Sequence, residues 1–149
     1  MLNKEISIRG FTLIELLVVV AILGIISAIG AVSYNGYVSA TKKTSTENAM
    51  QQISLGQTEE YSNTGSYYGN EGCDSPSVAT SHEIENALLG GANVLTKTNS
   101  ADERVAISDY YVCIEATVST YKIIAVEDKD SEACKITLDN NFVWGRENC

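Results

Sequence analysis

The distribution of apolar and polar residues divides the chain into two parts. Residues 16–41 contain no charged side chain, and Leu, Ile, Val and Ala fill most of the first half of this stretch. A helix of roughly 20 apolar residues, each adding about 1.5 Å, is long enough to cross a bilayer. The run therefore predicts a membrane-spanning helix, with the carboxylate of Glu15 at its head.

The helical pattern continues beyond the apolar run, because no proline occurs before Pro76 and apolar residues recur at spacings of three and four. This spacing predicts one apolar stripe on an otherwise polar helix. Its members are Tyr34, Tyr37, Val38, Ala49, Met50, Ile53 and Tyr61. Asn63-Thr64-Gly65 indicates the end of the helix. We expect a helix of roughly 50 residues, a membrane or helix-packing half over 11–34 and an amphipathic half over 35–64 that needs a small domain to cover it.

Residues 65–109 have the glycine and proline content of a connector. Within it, Thr80-Ser81-His82-Glu83 has the form of a capping box and precedes apolar residues at helical spacing. The pattern predicts a short helix that ends at Gly90.

Residues 110–149 predict strands. Tyr110–Val118 alternates and places Val112, Ile114, Ala116 and Val118 on one face. Tyr121–Val126 reads as a second strand, and the last short hairpin is formed by 135–138 and 141–144 around Asp139-Asn140. The expected fold class is α+β, with the long N-terminal helix packed on an antiparallel sheet of three or four strands.

The charge of the chain is −9, and Lys4, Glu5 and Arg9 contribute +1 of it, so that the rest carries −10. Such an acidic protein has no general attraction for nucleic acid, and any nucleic-acid binding would need a local basic patch. Basic residues precede the apolar run and the acidic bulk follows it. The positive-inside rule therefore predicts a single-pass protein with its N-terminus in the cytoplasm.

Exported cysteines meet an oxidising environment, and four of them allow three pairings. These are Cys73, Cys113, Cys134 and Cys149. Two disulfides are expected, because neither a Cys-x-x-Cys nor a Cys/His spacing indicates zinc. The acidic run 127–132 predicts a solvated loop. Its oxygen content would suit a calcium site, but the run lacks the glycine and ligand spacing of such a loop, so solvation is favoured.

No cofactor and no catalytic activity are expected. His82 is the only histidine, and neither a nucleophile–base grouping nor a phosphate-binding glycine loop accompanies it. We expect His82 to be exposed.

An ordinary cleaved signal peptide also has a basic start and an apolar core, and small residues between Ser27 and Ala31 would provide a cleavage site. Its core usually has about 7–15 residues and contains no carboxylate. The longer run and Glu15 favour a retained helix. An ionised group costs about 2.5–3.5 kcal/mol at the centre of a spanning helix, and less near an end, so Glu15 calls for a partner.

The segment Gly10-Phe11-Thr12-Leu13-Ile14-Glu15-Leu16 resembles the processing and assembly motif of type IV prepilins and the related pseudopilins. The resemblance implies that residues 1–10 are a leader, removed by prepilin peptidase between Gly10 and Phe11. It also implies N-methylation of Phe11 and pairing of Glu15 with the N-terminal amine of a neighbouring subunit.

Further details follow from this resemblance. The short leader and the initial phenylalanine are similar to the type IVa branch. Val32 departs from the family, since many pilins have a proline there, and this leaves open whether the helix unwinds from Gly24 in a filament. The C-terminal cysteines resemble the disulfide-bounded loop of pilins, which implies the pairs Cys134–Cys149 and Cys73–Cys113.

The implied function is structural. The chain would be stored in the inner membrane and then polymerised, by the inner-membrane pilus assembly machinery, with identical or related subunits into an extracellular filament. Such filaments serve adhesion, twitching motility or DNA uptake. The alternative is a minor pilin or a type II secretion pseudopilin; the two expected disulfides favour a pilus subunit.

Overall fold

The computed structural model describes residues 10–129 and 132–149. The predicted leader residues 1–9, and residues 130–131 of the acidic run, lie outside the described residues. The elements in chain order are α1 (Leu13–Thr64), α2 (Val78–Leu88), β1 (Thr96–Thr98), β2 (Arg104–Ala106), β3 (Tyr110–Ala116), β4 (Tyr121–Glu127), β5 (Lys135–Asp139) and β6 (Trp144–Glu147). Strands β3 to β6 form one antiparallel sheet in sequence order, and β1 pairs with β2. The predicted α+β class with a long N-terminal helix is confirmed.

Helix α1 has 52 residues and continues without a break through Gly24 to Val32. The chain divides into two compact units, one up to Ala40 and one from Thr41. In the first unit the helix is mostly apolar, and its residues 13–30 and 33–37 are exposed. In the second, one face of α1 is buried against the sheet.

The core of the second unit contains the central part of the predicted stripe. Ala49, Met50 and Ile53 are buried with the inward residues of the sheet, among them Ile123 and Leu138. Burial of an Ile or Met side chain contributes about 1.5–3 kcal/mol. The expectation that the whole stripe is covered is wrong at its two ends, where Tyr34, Tyr37 and Tyr61 are exposed. The physical reason for the first two is that the unit covering α1 begins only at Thr41.

Buried polar side chains on α1 fix how the helix meets the rest of this unit. The Ser54 hydroxyl lies 2.6 Å from the Tyr121 hydroxyl in the core. The Gln57 amide bonds both backbone groups of Tyr68, donating to the carbonyl at 2.6 Å and accepting from the N–H at 2.9 Å. Because each pair is satisfied only in one alignment, these bonds specify the register of α1.

Helix α2 starts earlier than the sequence predicted. Its N-cap is Ser77, and Thr80 is the third helical residue, whose hydroxyl accepts from the Ser77 backbone N–H at 3.0 Å. The prediction of Thr80 as the N-cap is therefore wrong. Thr80 occupies the position that glutamate usually has in a capping box, and its hydroxyl accepts the N-cap N–H as the glutamate carboxylate would. His82 is half-buried and not exposed as predicted, with Nδ1 3.3 Å from Oε2 of Glu85.

The outer edge of β3 is covered by side chains. Val112 donates to the Ser81 hydroxyl at 2.9 Å and accepts from the Thr80 hydroxyl at 2.9 Å. Two residues further, Ile114 exchanges hydrogen bonds with Asn70. An uncovered edge would offer these groups to another strand, so α2 and Asn70 close this side of the sheet.

Three details of the strands differ from the prediction. The β1–β2 hairpin lies inside the region predicted as a connector with one helix. β3 ends at Ala116, so Val118 is exposed in the following turn rather than on the buried face. β6 starts at Trp144, not Asn141, because the Asp139 carboxylate accepts the N–H groups of Asn141 and Val143 and holds both residues in the turn.

Candidate processing and assembly site

The segment from Gly10 to Glu15 forms the start of α1. The helix begins at Leu13, which makes Thr12 its N-cap and Glu15 its third residue. The Glu15 N–H donates to the Thr12 hydroxyl oxygen at 3.3 Å, while Oε2 of Glu15 accepts the Thr12 N–H at 2.8 Å and the Thr12 hydroxyl at 2.7 Å. This is a reciprocal capping box. Within the subunit, Glu15 therefore stabilises the first turn of its own helix.

Both local hydrogen bonds to the carboxylate end on the same oxygen. No donor from the described residues reaches Oε1 of Glu15. The carboxylate lies next to an exposed helix start, where Phe11 is 82% exposed. Glu15 can thus hold the cap with one oxygen and accept a cationic donor with the other.

The peptide bond between Gly10 and Phe11 lies ahead of the helix. Both residues are exposed and belong to no helix or strand. A Cβ added to Gly10 would contact nothing within 4 Å. Neither packing nor backbone conformation within the described chain therefore requires a glycine here, and the peptide is accessible to an external enzyme.

The apolar run following this segment is exposed from Leu16 to Gly30. Its most hydrophobic 18-residue window has a mean hydropathy of 2.7, and none of it is buried in the subunit. The hydroxyl of Ser27, the first serine in the run, donates to the Leu23 carbonyl at 2.7 Å and is thereby satisfied inside the helix. By length and composition, this is the one helix among the described residues that could cross a membrane.

The cysteines lie in the second unit. Cys73 and Cys113 are bonded with their Cα atoms 5.4 Å apart, and Cys134 and Cys149 with theirs 4.6 Å apart. Both distances fall in the ordinary range for a disulfide. These are the pairs that the resemblance implies. The first attaches the connector to β3, and the second closes β5 and β6 into a loop.

Comparison with known proteins agrees with the geometry of the helix start. Residues 7–31 match the family model described as the prokaryotic N-terminal methylation motif. A fimbrial protein of Neisseria meningitidis serogroup B is 35% identical over 86 residues, which cover 58% of this chain and 49% of the fimbrial protein. This chain is thus similar to type IV pilins, and both matches support that resemblance. It spans about half the length of that fimbrial relative, and no solved structure matched it.

The structure shows no metal site within residues 10–129 and 132–149, where no three His, Cys, Asp or Glu side chains form a cluster that could bind an ion. In the acidic loop, Asp128 accepts a hydrogen bond from the Tyr111 hydroxyl at 2.6 Å. That bond, with burial and the nearby charges of Asp128 and Asp109, raises the pKa of Tyr111 to about 12.

A buried carboxylate organises the region after α2. Glu85 is 1% exposed, and its Oε1 accepts three successive backbone N–H groups, of Val94 at 2.8 Å, Leu95 at 2.7 Å and Thr96 at 2.8 Å. Its Oε2 accepts the Thr96 hydroxyl and lies 3.8 Å from the Arg104 guanidinium. The carboxylate therefore joins α2 to the β1–β2 hairpin.

The protonation of Glu85 follows from these contacts. Burial raises the pKa of its carboxyl, but the hydrogen bonds from Thr96, Leu95 and His82 outweigh burial and lower the pKa below its ordinary value. Glu85 is consequently ionised in the folded protein at neutral pH.

Sequence reasoning singled out Gly10, Phe11 and Glu15 but missed Thr12. The spacing Thr12-x-x-Glu15 is itself a capping-box signature and could have revealed the pair. Glu85 carries no comparable signal, because the three amides that it binds follow it by nine to eleven residues and belong to another element.

Proposed function

We propose that this chain is a structural subunit of a type IV pilus and not an enzyme. Prepilin peptidase cleaves it between Gly10 and Phe11 and methylates the new amine of Phe11, and the apolar half of α1 then packs in the filament. The observation that carries the proposal is the fully exposed apolar window of α1, headed by one carboxylate. Such a surface requires lipid or like helices as its surroundings.

The exposed glycine at the head of the helix supports the processing step. Gly10 has no packing role within the described chain, so the peptidase is the factor that would require a small residue before the cut. Before assembly, the subunit is stored in the inner membrane with its N-terminus in the cytoplasm. Residues 1–10 form the leader, 11–34 the filament core, 35–64 the covered half of α1, and 65–149 the connector and the disulfide-bounded sheet.

The two roles of Glu15 explain how subunits recognise each other. Its Oε2 stays on the Thr12 cap, and its Oε1 accepts the methylated amine of Phe11 from an adjacent subunit. An ion pair in a low-dielectric bundle is much stronger than in water. The pair therefore sets the stagger between subunits, and the finished filament serves adhesion, twitching motility or DNA uptake.

The charge of Glu15 can be separated from its capping role by two substitutions. Glu15→Gln keeps an acceptor for the Thr12 N–H, since glutamine also occupies this position of a capping box, but it has no charge. Glu15→Ala removes both the acceptor and the charge. We expect both variants to be cleaved normally and both to yield few or no sheared filaments.

Intact mass and N-terminal sequence of the processed protein test cleavage and methylation, and the yield of sheared filaments tests assembly. A mature chain starting at Phe11 with one added methyl group is expected. Normal filaments from Glu15→Gln together with none from Glu15→Ala would show that the capping hydrogen bond matters and the charge does not, which would refute the ion pair between subunits. An N-terminus near residue 30 would refute the pilin proposal as a whole.

A further inference from the structure

Two tyrosines mark the point where the apolar run of α1 ends. Tyr34 and Tyr37 are 67% and 70% exposed. They are three residues apart and therefore share one face of the helix. Ser33, Asn35 and Gly36 surround them, so this turn is the first polar one after the run.

The position of the tyrosines matches the thickness of a membrane. Tyr34 and Tyr37 follow Glu15 by 19 and 22 residues in one uninterrupted helix within the first compact unit. At about 1.5 Å per residue, they lie about 29 Å and 33 Å along the axis from Glu15. The hydrocarbon core of a bilayer is about 30 Å thick. With Glu15 at one boundary, both tyrosines fall at the other.

The chemistry of tyrosine suits that boundary. Its ring contributes apolar surface to the outer part of the hydrocarbon layer, and its hydroxyl reaches headgroups and water, which is why tyrosine is enriched at membrane interfaces. A contact made only with other apolar helices would be served as well by the Leu and Ile residues that fill the rest of the run.

We propose that Tyr34 and Tyr37 form an interfacial anchor that sets the depth of the stored subunit, with their rings at the lipid headgroup boundary on the far side of the membrane from Glu15. The proposal rests on the membrane storage described under the proposed function. The anchor holds Glu15 at the cytoplasmic boundary, within reach of the amine of a second subunit.

Tryptophan probes in the full-length protein test the depth directly. Trp144→Phe removes the single tryptophan of the chain, and one tryptophan is then placed at position 34 or 37. Ile29→Trp, inside the apolar run, and Leu55→Trp, in the second unit, are the matched controls, since both native residues are well exposed. The proteins are reconstituted in phosphatidylethanolamine–phosphatidylglycerol vesicles, and fluorescence is quenched with lipids brominated at shallow or deep acyl positions.

The expected result is a graded profile. The probes at 34 and 37 are quenched most by shallow bromines, the probe at 29 most by deep bromines, and the probe at 55 by neither. Replacing Tyr34 and Tyr37 together by serine is expected to shift the depth of the probe at 29, whereas Leu55→Ser leaves it unchanged.

The outcomes separate the two proposals. If the probe at 29 is deep but those at 34 and 37 match either control, the anchor is refuted while membrane storage stands. An unshifted probe at 29 in the double serine variant also refutes the anchor. If the probe at 29 is not quenched at all, membrane storage fails and the anchor with it.

Discussion

Removing the carboxylate of Glu85 should destabilise the second unit strongly, because several hydrogen bonds depend on this one side chain. The side chain is buried and is the common acceptor for three backbone N–H groups and the Thr96 hydroxyl. In Glu85→Ala, the amides of Val94, Leu95 and Thr96 lose their acceptor together. The link between α2 and the β1–β2 hairpin is lost at the same time.

The magnitude follows from the number and type of these bonds. A hydrogen bond to a charged group contributes about 1.5–3 kcal/mol, and a buried donor left without an acceptor costs about 1–3 kcal/mol. Four donors are affected, but water can enter and the effects are not additive. We therefore expect Glu85→Ala to lower the free energy of unfolding by about 3–5 kcal/mol, as for other broken buried charge networks. Glu85→Gln keeps an acceptor oxygen and should cost about 1–2 kcal/mol.

The assay is urea unfolding of the full-length protein in detergent. Trp144 packs against the core and reports the transition by fluorescence. Glu83→Gln is the matched control, because Glu83 lies on the same helix, is exposed and accepts a long hydrogen bond of 3.4 Å from Asn70. Its effect should stay within about 0.5 kcal/mol. Hydrogen exchange should show faster exchange of the amides of residues 94–96 in Glu85→Ala.

Two results would refute this reasoning. One is an unfolding free energy of Glu85→Ala within about 1 kcal/mol of the wild type. The other is slow exchange of the three amides in that variant, which would mean that another acceptor replaces the carboxylate.

Further predictions concern pH, the disulfides and one glycine. The folded pKa of Glu85 is lowered from its ordinary 4.5. The stability that the ionised carboxylate contributes is therefore present above pH 4.5 and is lost as the pH falls through the folded pKa. In a measurement of unfolding free energy against pH, Glu85→Gln should flatten this loss of stability at acid pH. Replacing the Cys134–Cys149 pair, which closes a loop of 15 residues, by serine should lower the free energy of unfolding by about 3 kcal/mol, and replacing the Cys73–Cys113 pair, which closes 40, by about 4 kcal/mol. Urea unfolding measures both losses. Peptide mass mapping without reduction would contradict the premise if it found other pairs. Gly56→Ala would place a Cβ 2.8 Å from the Leu88 carbonyl oxygen and should destabilise the second unit by about 1–3 kcal/mol. Gly36→Ala on the same helix meets open space and should not destabilise the protein. Equal melting curves for the two variants would refute the contact.

The candidate site could be predicted from the sequence to a large extent. Gly10, Phe11 and Glu15 lie within six consecutive residues, and the run behind them is apolar without interruption to its first serine. Local order and composition carry this information, so no distant part of the chain is needed to read it. The exception is the hydrogen-bond partner of Glu15 within the subunit, which is Thr12. In the sequence, only the spacing of three residues between Thr12 and Glu15 indicated this pair.

The boundaries in the second unit were predicted less well, because they depend on side chains that bond to backbone groups. Asp139 moves the start of the last strand to Trp144 by accepting two amides of the turn. Ser77 begins α2 three residues before the capping box that the sequence suggested. In both places, two local patterns competed, and the hydrogen bonds decided between them.

By itself, the sequence determined the long helix, the exposed apolar run, the alternating strands and the motif at the helix start, because each depends on spacing along a short stretch of chain. Only the tertiary structure decided that Glu85 is a buried acceptor, that Ser81 and Asn70 cover the edge of β3, and that Gly56 lies against α2. The reason is physical. Burial and hydrogen bonding join groups that are far apart in the sequence, 31 residues for Ser81 and Val112 and 44 for Asn70 and Ile114, and no local pattern carries those distances.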